Sequence, residues 1–126
     1  MTVVDAAWVV EALASPEKID VDALSPEELA APSMIRAEVA SALRAKVGSN
    51  RMTASAAADS LRTCLDLELD LHPIEPHLER IWELRHNVTP YDAWYVALAE
   101  ALDAPLLTTD ARLSRAPGIR CEVRVV

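Results

Sequence analysis

Apolar positions along this chain fall into short unbroken runs that alternate with longer stretches of helical spacing. Thr2 to Val4 is a brief apolar run ending at Asp5, and Ala7 to Leu13 behind it is apolar except for Glu11. That is the pattern of a strand followed by a well-buried helix, stopped by Ser15 and Pro16. The segment to Glu28 mixes acids with Ile19, Val21 and Leu24, and Ser25-Pro26-Glu27-Glu28 reads as a capping sequence, so one or two short helical turns are expected there. Leu29 to Ala31 is a second brief apolar run. Ser33 can cap a helix from about Met34 to Val47 that Gly48 ends, and Thr53 can cap another through about Leu67, with Ala57, Leu61, Cys64 and Leu65 at helical spacing.

Leu69, Leu71 and Ile74 point to a strand around His72, and Pro76 opens a helix through about His86. Thr89 starts a further helix that stays apolar nearly all round from Ala93 to Leu102, the mark of a central buried helix. Ala104 to Thr109 reads as a strand and Asp110 begins a short helix through Ser114. Arg120 to Val126 closes the chain as an alternating strand, with Cys121, Val123 and Val125 on one face. Strands and helices in this order predict the α/β class, a three-layer α/β/α sandwich around a mostly parallel central sheet.

The 126 residues suit one domain with one core, and only two glycines make tight hairpins scarce. A formal charge of -8 argues against a broad basic surface that would hold nucleic acid through many phosphate contacts. Cys64 and Cys121 lie far apart and have no metal-type neighbours, so both are expected to be reduced thiols. No apolar stretch approaches the roughly 18 residues of a membrane span, and a cytoplasmic location is expected.

Against that background four acids stand out. Asp5 and Asp110 each follow an apolar run directly, Asp92 lies at the start of the buried helix, and Glu38 sits in the stripe of Ile35, Val39, Ala42 and Leu43. In an open parallel sheet the ligand site lies beyond the carboxyl ends of the strands, the edge to which Asp5 and Asp110 belong. Each aspartate also reads as a helix-start residue, Asp92 forming a capping box with Thr89. Glu38 is the discriminating member. Arg36 is on another face, Arg44 and Lys46 lack pairing spacing, and a buried carboxylate needs a partner. An arginine or a metal from elsewhere in the fold is implied.

The segments VVDAAW, PSMIRAEVASALR, NVTPYDAWYVALAEAL and PLLTTDARL resemble the successive acidic motifs of PIN-domain ribonucleases, most closely the VapC toxins of bacterial toxin–antitoxin pairs. The likeness covers essentially the whole chain and implies one PIN-like domain over residues 1–126. It further implies Asp5, Glu38, Asp92 and Asp110 as the catalytic, metal-holding cluster, with a hydroxyl of Thr108 or Thr109 as helper. The implied activity is metal-dependent hydrolysis of RNA by an endoribonuclease toxin. The implied partners are RNA, a small cognate antitoxin and a second copy of the chain, in a homodimer and a toxin–antitoxin hetero-oligomer. Hard oxygen donors select Mg²⁺ or Mn²⁺ over Zn²⁺. One departure is Ala7, where many members of the family carry Ser or Thr two residues after the first Asp.

Arg112 and Arg115 beside Asp110, and Arg36, Arg44, Lys46 and Arg51 elsewhere, are candidates for phosphate contact. Trp8, Trp82 and Trp94 lie in apolar helical patterns and read as packing residues rather than base-stacking platforms, Trp8 being the best interface candidate. His72, His77 and His86 show no ligand spacing. The competing reading is a non-catalytic PIN-like binding module whose acidic pocket receives an arginine from a partner.

Overall fold

The computed structural model describes residues 1–15, 17 and 28–126. The helical turns and capping sequence expected before Glu28 lie outside the described residues. Five strands, β1 (Thr2–Val4), β2 (Leu29–Pro32), β3 (Asp70–His72), β4 (Leu106–Thr108) and β5 (Val123–Val125), form one sheet in the order β3-β2-β1-β4-β5. Every pairing is parallel, with Val3 opposite Ala30 on one side and Leu106 on the other. Parallel neighbours demand crossovers, and these are supplied by α1 (Ala6–Ala14), α2 (Ile35–Gly48), α3 (Ala54–Asp66), α4 (Leu78–Glu83), α5 (Pro90–Leu102) and α6 (Ala111–Ser114). The expected α/β/α sandwich is the fold observed.

The burial pattern follows the topology. β1 and β2 are buried at every position because helices cover both of their faces, whereas the edge strands β3 and β5 keep exposed residues. Helices α1, α2 and α3 pack on one another, while α5 lies against β1, β2 and β4 and carries α4. The apolar circumference of α5 is matched by its surroundings, with Ala93 through Ala99 all buried.

Several boundaries differ from the sequence expectation. Ser33 does not cap α2: its backbone N–H is still committed to the sheet, donating to the carbonyl of His72 at 2.9 Å, and Met34 takes the cap position without a side-chain bond. Gly48 is the last residue of α2 rather than its stop, and the reversal falls on Asn50 at φ 59°. The helix expected from Pro76 to His86 is a 3₁₀ turn (Glu75–His77) followed by only six residues of α4, because the N–H of Leu84 is shared between the carbonyls of Arg80 and Ile81 as the helix tightens and ends. Trp8 is only 2% exposed, enclosed within its own chain's core rather than at an interface. Trp94 is also core, whereas Trp82 is 68% exposed and outside it.

Candidate active site

The chain runs from β1 outward to β2 and β3, then returns across the sheet to place β4 on the opposite side of β1. The strand order therefore reverses between β1 and β4, and a crevice at such a switch point opens beyond the carboxyl ends of the two strands. Asp5 follows β1 and Asp110 follows β4 by two residues. Their strands are joined there by the bond from Asp5 N–H to the carbonyl of Leu107, 3.2 Å.

Asp5 caps α1, its Oδ1 accepting from the N–H of Trp8 at 2.8 Å, and its carboxylate also accepts from the hydroxyl of Thr108. The Thr108 oxygen accepts in turn from the N–H of Asp110 at 2.9 Å. A fully buried hydroxyl at the end of β4 thus ties the first acid to the backbone of the last. Thr109 follows β4 and has no such contact among the described residues, so of the two hydroxyls in the motif Thr108 is the one directed at the acids. It gives Asp5 a hydroxyl despite Ala7.

Asp92 stands in the first turn of α5, where its N–H donates to the capping Thr89 Oγ1 at 3.2 Å. One turn further along the same helix, Tyr95 donates its phenol O–H to Oε1 of Glu38 at 3.0 Å and receives the N–H of Ala6. The hydrogen-bond partner of Glu38 in the structure is a neutral phenol, which orients the carboxylate without neutralising it. Tyr95 was detectable only as a hydroxyl three residues after Asp92 on a helix too buried to leave it unpaired.

The electrostatics separate the four acids into two groups. Burial pushes the carboxyl of Asp5 above its ordinary range; the bonds from Thr108 and Trp8 oppose this, and the charges of Asp92 and Asp110 add to it. Glu38 is raised by burial and by the charges of Asp92 and Asp5, against the bond from Tyr95. Asp92 is raised by burial and by Asp110, with Thr89 and Arg112 opposing. These mutual repulsions mark the four as neighbours in one field. Asp110 alone is lowered, because the Arg112 guanidinium grips both of its oxygens at 3.1 Å.

The donor set is all carboxylate and uncompensated at Asp5 and Glu38, which fits a hard divalent cation. As placed, no three carboxylate, imidazole or thiol groups among the described residues close on a single point. Each of Asp5, Glu38 and Asp110 is held by its own hydrogen-bond partner, and like charges keep apart.

A groove of about 500 Å³ runs from Asp92, Asp110 and Arg112 to the turn between α4 and α5 at Arg85 and His86. Arg112 therefore lines the site, and Arg115 is close enough to lower Asp110. Arg36 is a correction: it donates to the carbonyls of Cys64 (3.3 Å) and Leu67 (2.9 Å), closing the C-terminal end of α3, and is not free for phosphate. Arg51 bonds the nearby Ser49 hydroxyl at 2.8 Å.

Comparison with known proteins identifies the family. The PIN domain family matches residues 2–119. Ribonuclease VapC1 of Mycobacterium tuberculosis is 49% identical over 98% of this chain and 96% of its own length. Among solved structures, PAE2754 from Pyrobaculum aerophilum superposes with a TM-score of 0.70 at 26% identity, covering 97% of this chain and 81% of that one. VapBC2 from Rickettsia felis, solved bound to a DNA fragment from its promoter, gives a TM-score of 0.68 at 17% identity, covering 98% of each chain, and shares the fold. With its sheet order, its acids at the switch point and these likenesses, the chain belongs to the PIN-domain family and, within it, to the VapC ribonucleases.

Proposed function

We propose that this chain, as one PIN-like domain, is a metal-dependent endoribonuclease that acts as the toxin of a type II toxin–antitoxin pair. The observation that carries the reading is the group of three carboxylates with raised proton affinity, Asp5, Glu38 and Asp92, gathered with Asp110 at the switch point. The ribonuclease names of relatives at 49% and 38% identity favour catalysis over a purely binding role.

Asp5 and Asp92 are the principal candidate ligands for Mg²⁺ or Mn²⁺, with Glu38 and Asp110 completing the shell. A divalent cation held there supplies charge neutralisation, activation of water and polarisation of the phosphodiester. Thr108 fixes the direction of the Asp5 carboxylate, and Tyr95 fixes that of Glu38. When Asp110 turns toward the cluster it releases Arg112, whose guanidinium is then free for a phosphate oxygen, with Arg115 adding positive charge nearby. These two arginines give an acidic protein the local compensation that an RNA substrate needs.

A small cognate antitoxin is the proposed partner, in keeping with the VapBC assemblies among the structural neighbours. The exposed Leu61 and Leu65 of α3 offer apolar area to it or to a second copy of the chain in a homodimer. No helix among the described residues is long and apolar enough to cross a membrane.

The test is cleavage of RNA by the purified chain. Activity should require Mg²⁺ or Mn²⁺ and vanish in Asp5→Asn and in Asp92→Asn. Cleavage that survives both substitutions, or that proceeds unchanged in excess EDTA, would sink the proposal.

A further inference from the structure

The groove that begins at Asp92 and Asp110 ends at a different kind of surface. Arg85, in the turn that follows α4, also lines the groove. Its guanidinium lies 4.7 Å from the ring centroid of Trp82, and its Nη1 donates to the Trp82 carbonyl at 2.8 Å. No carboxylate pairs with it among the described residues, whereas Arg62, Arg80, Arg112 and Arg124 all have acidic partners. What sets Arg85 apart is the indole: its guanidinium is held in place by stacking on an exposed ring, without being neutralised, in a chain of net charge -8. Trp82 is 68% exposed and lies outside the core.

We propose that Arg85, positioned by Trp82, binds the phosphate of a nucleotide flanking the one cleaved, so that single-stranded RNA lies along the groove from the acidic cluster to the α4–α5 turn. This rests on the ribonuclease reading and extends it to the path of the substrate. Beside Asp92 and Asp110 a cation would sit between protein and phosphate, whereas at Arg85 the protein can meet a phosphate directly. A guanidinium suits that task because its donors match phosphate oxygens in pairs while its flat face remains on the indole. An unpaired strand is favoured over a duplex because a single such anchor follows a single backbone. Arg85 is thus a substrate-binding residue and Trp82 a positioning residue.

The experiment measures binding of a fluorescently labelled single-stranded RNA to the full chain in EDTA, where cleavage cannot contribute, by anisotropy across a salt series. Arg85→Ala should weaken binding about tenfold and lower the slope of log K against log salt by about 0.7, the loss expected for one single-strand phosphate contact. Arg85→Lys should recover part of the affinity, and Trp82→Ala should weaken binding while Trp82→Phe largely retains it. The control Arg62→Ala, at an exposed ion pair on α3, should leave binding unchanged. Trp8 and Trp94 are buried, so saturation with RNA should also lower acrylamide quenching of the exposed Trp82 in the wild-type chain. Wild-type affinity and slope in a folded Arg85→Ala overturn the inference while leaving the ribonuclease reading intact. A wild-type chain that neither binds nor, with metal, cleaves RNA overturns both.

Discussion

Replacing Tyr95 with Phe isolates one bond in the site while leaving the core filled. Tyr95 is 2% exposed, and its phenol donates to Glu38 at 3.0 Å and accepts from Ala6 N–H. Phe keeps the ring, so the cavity cost is small. A hydrogen bond to a charged group contributes about 1.5–3 kcal/mol, but Glu38 is only half-buried and water can reach it once the phenol is gone. Ala6 begins α1 with no intrahelical acceptor for its buried N–H, so losing the phenol oxygen there adds to the cost. The expected loss is about 2 kcal/mol. For a chain of this length that is a fall of roughly 4–10 °C in Tm.

The loss should also depend on pH with a definite sign. The Tyr95 bond lowers the proton affinity of Glu38, so removing it raises that affinity further. The gap between Tyr95→Phe and wild type is then full where Glu38 is ionised and narrows as pH falls through its titration. Thermal unfolding in EDTA between about pH 4.5 and 8 reads this directly. A variant with wild-type Tm at neutral pH, or a gap that widens toward acid, refutes the reasoning.

Other consequences of the same field are open to measurement. Asp5, Glu38 and Asp92 hold protons more tightly folded than unfolded, so their contribution to metal-free stability is present in acid and lost as pH rises through their raised values. Unfolding in EDTA should show Tm rising as pH drops from neutral, until Asp110 and Glu122, whose affinities are lowered, begin to lose their ion pairs. Asp5→Asn should raise the metal-free Tm at neutral pH and flatten this dependence; a lowered Tm there contradicts the repulsion. Mn²⁺ at 100 times its Kd should stabilise the wild-type chain by about 2.7 kcal/mol, more at neutral pH than in acid where protons compete, and should not stabilise Asp92→Asn. Arg36→Ala should cost about 1–2 kcal/mol by freeing two carbonyls at the end of α3, seen as a lower Tm without loss of RNA affinity.

How much of this the sequence could disclose varied with the range of the interactions involved. Caps are local, and Thr53, Thr89 and Asp110 do cap their helices as the sequence suggests. The sheet edge was legible because β1 and β4 are short apolar runs ending beside an acid. Ser33 misled because a cap depends on where the preceding strand lets go of its neighbour, and β3, 39 residues away at His72, was still holding it. The need of Glu38 for a partner is legible in its own helix, but the partner is 57 residues distant on another helix, beyond any spacing rule. Trp8 and Trp82 exchanged roles for a related reason. α1 is covered by α2 and α3 of its own chain, while α4 is too short to bury its outer face.

Whether the carboxylates at the switch point hold the cation used for RNA hydrolysis is decided by anomalous diffraction from crystals soaked in Mn²⁺. A peak is expected among Asp5, Glu38, Asp92 and Asp110, with the Asp110 carboxylate turned away from Arg112. Saturating Mn²⁺ with no peak there, and the Asp110–Arg112 pair intact, would contradict it.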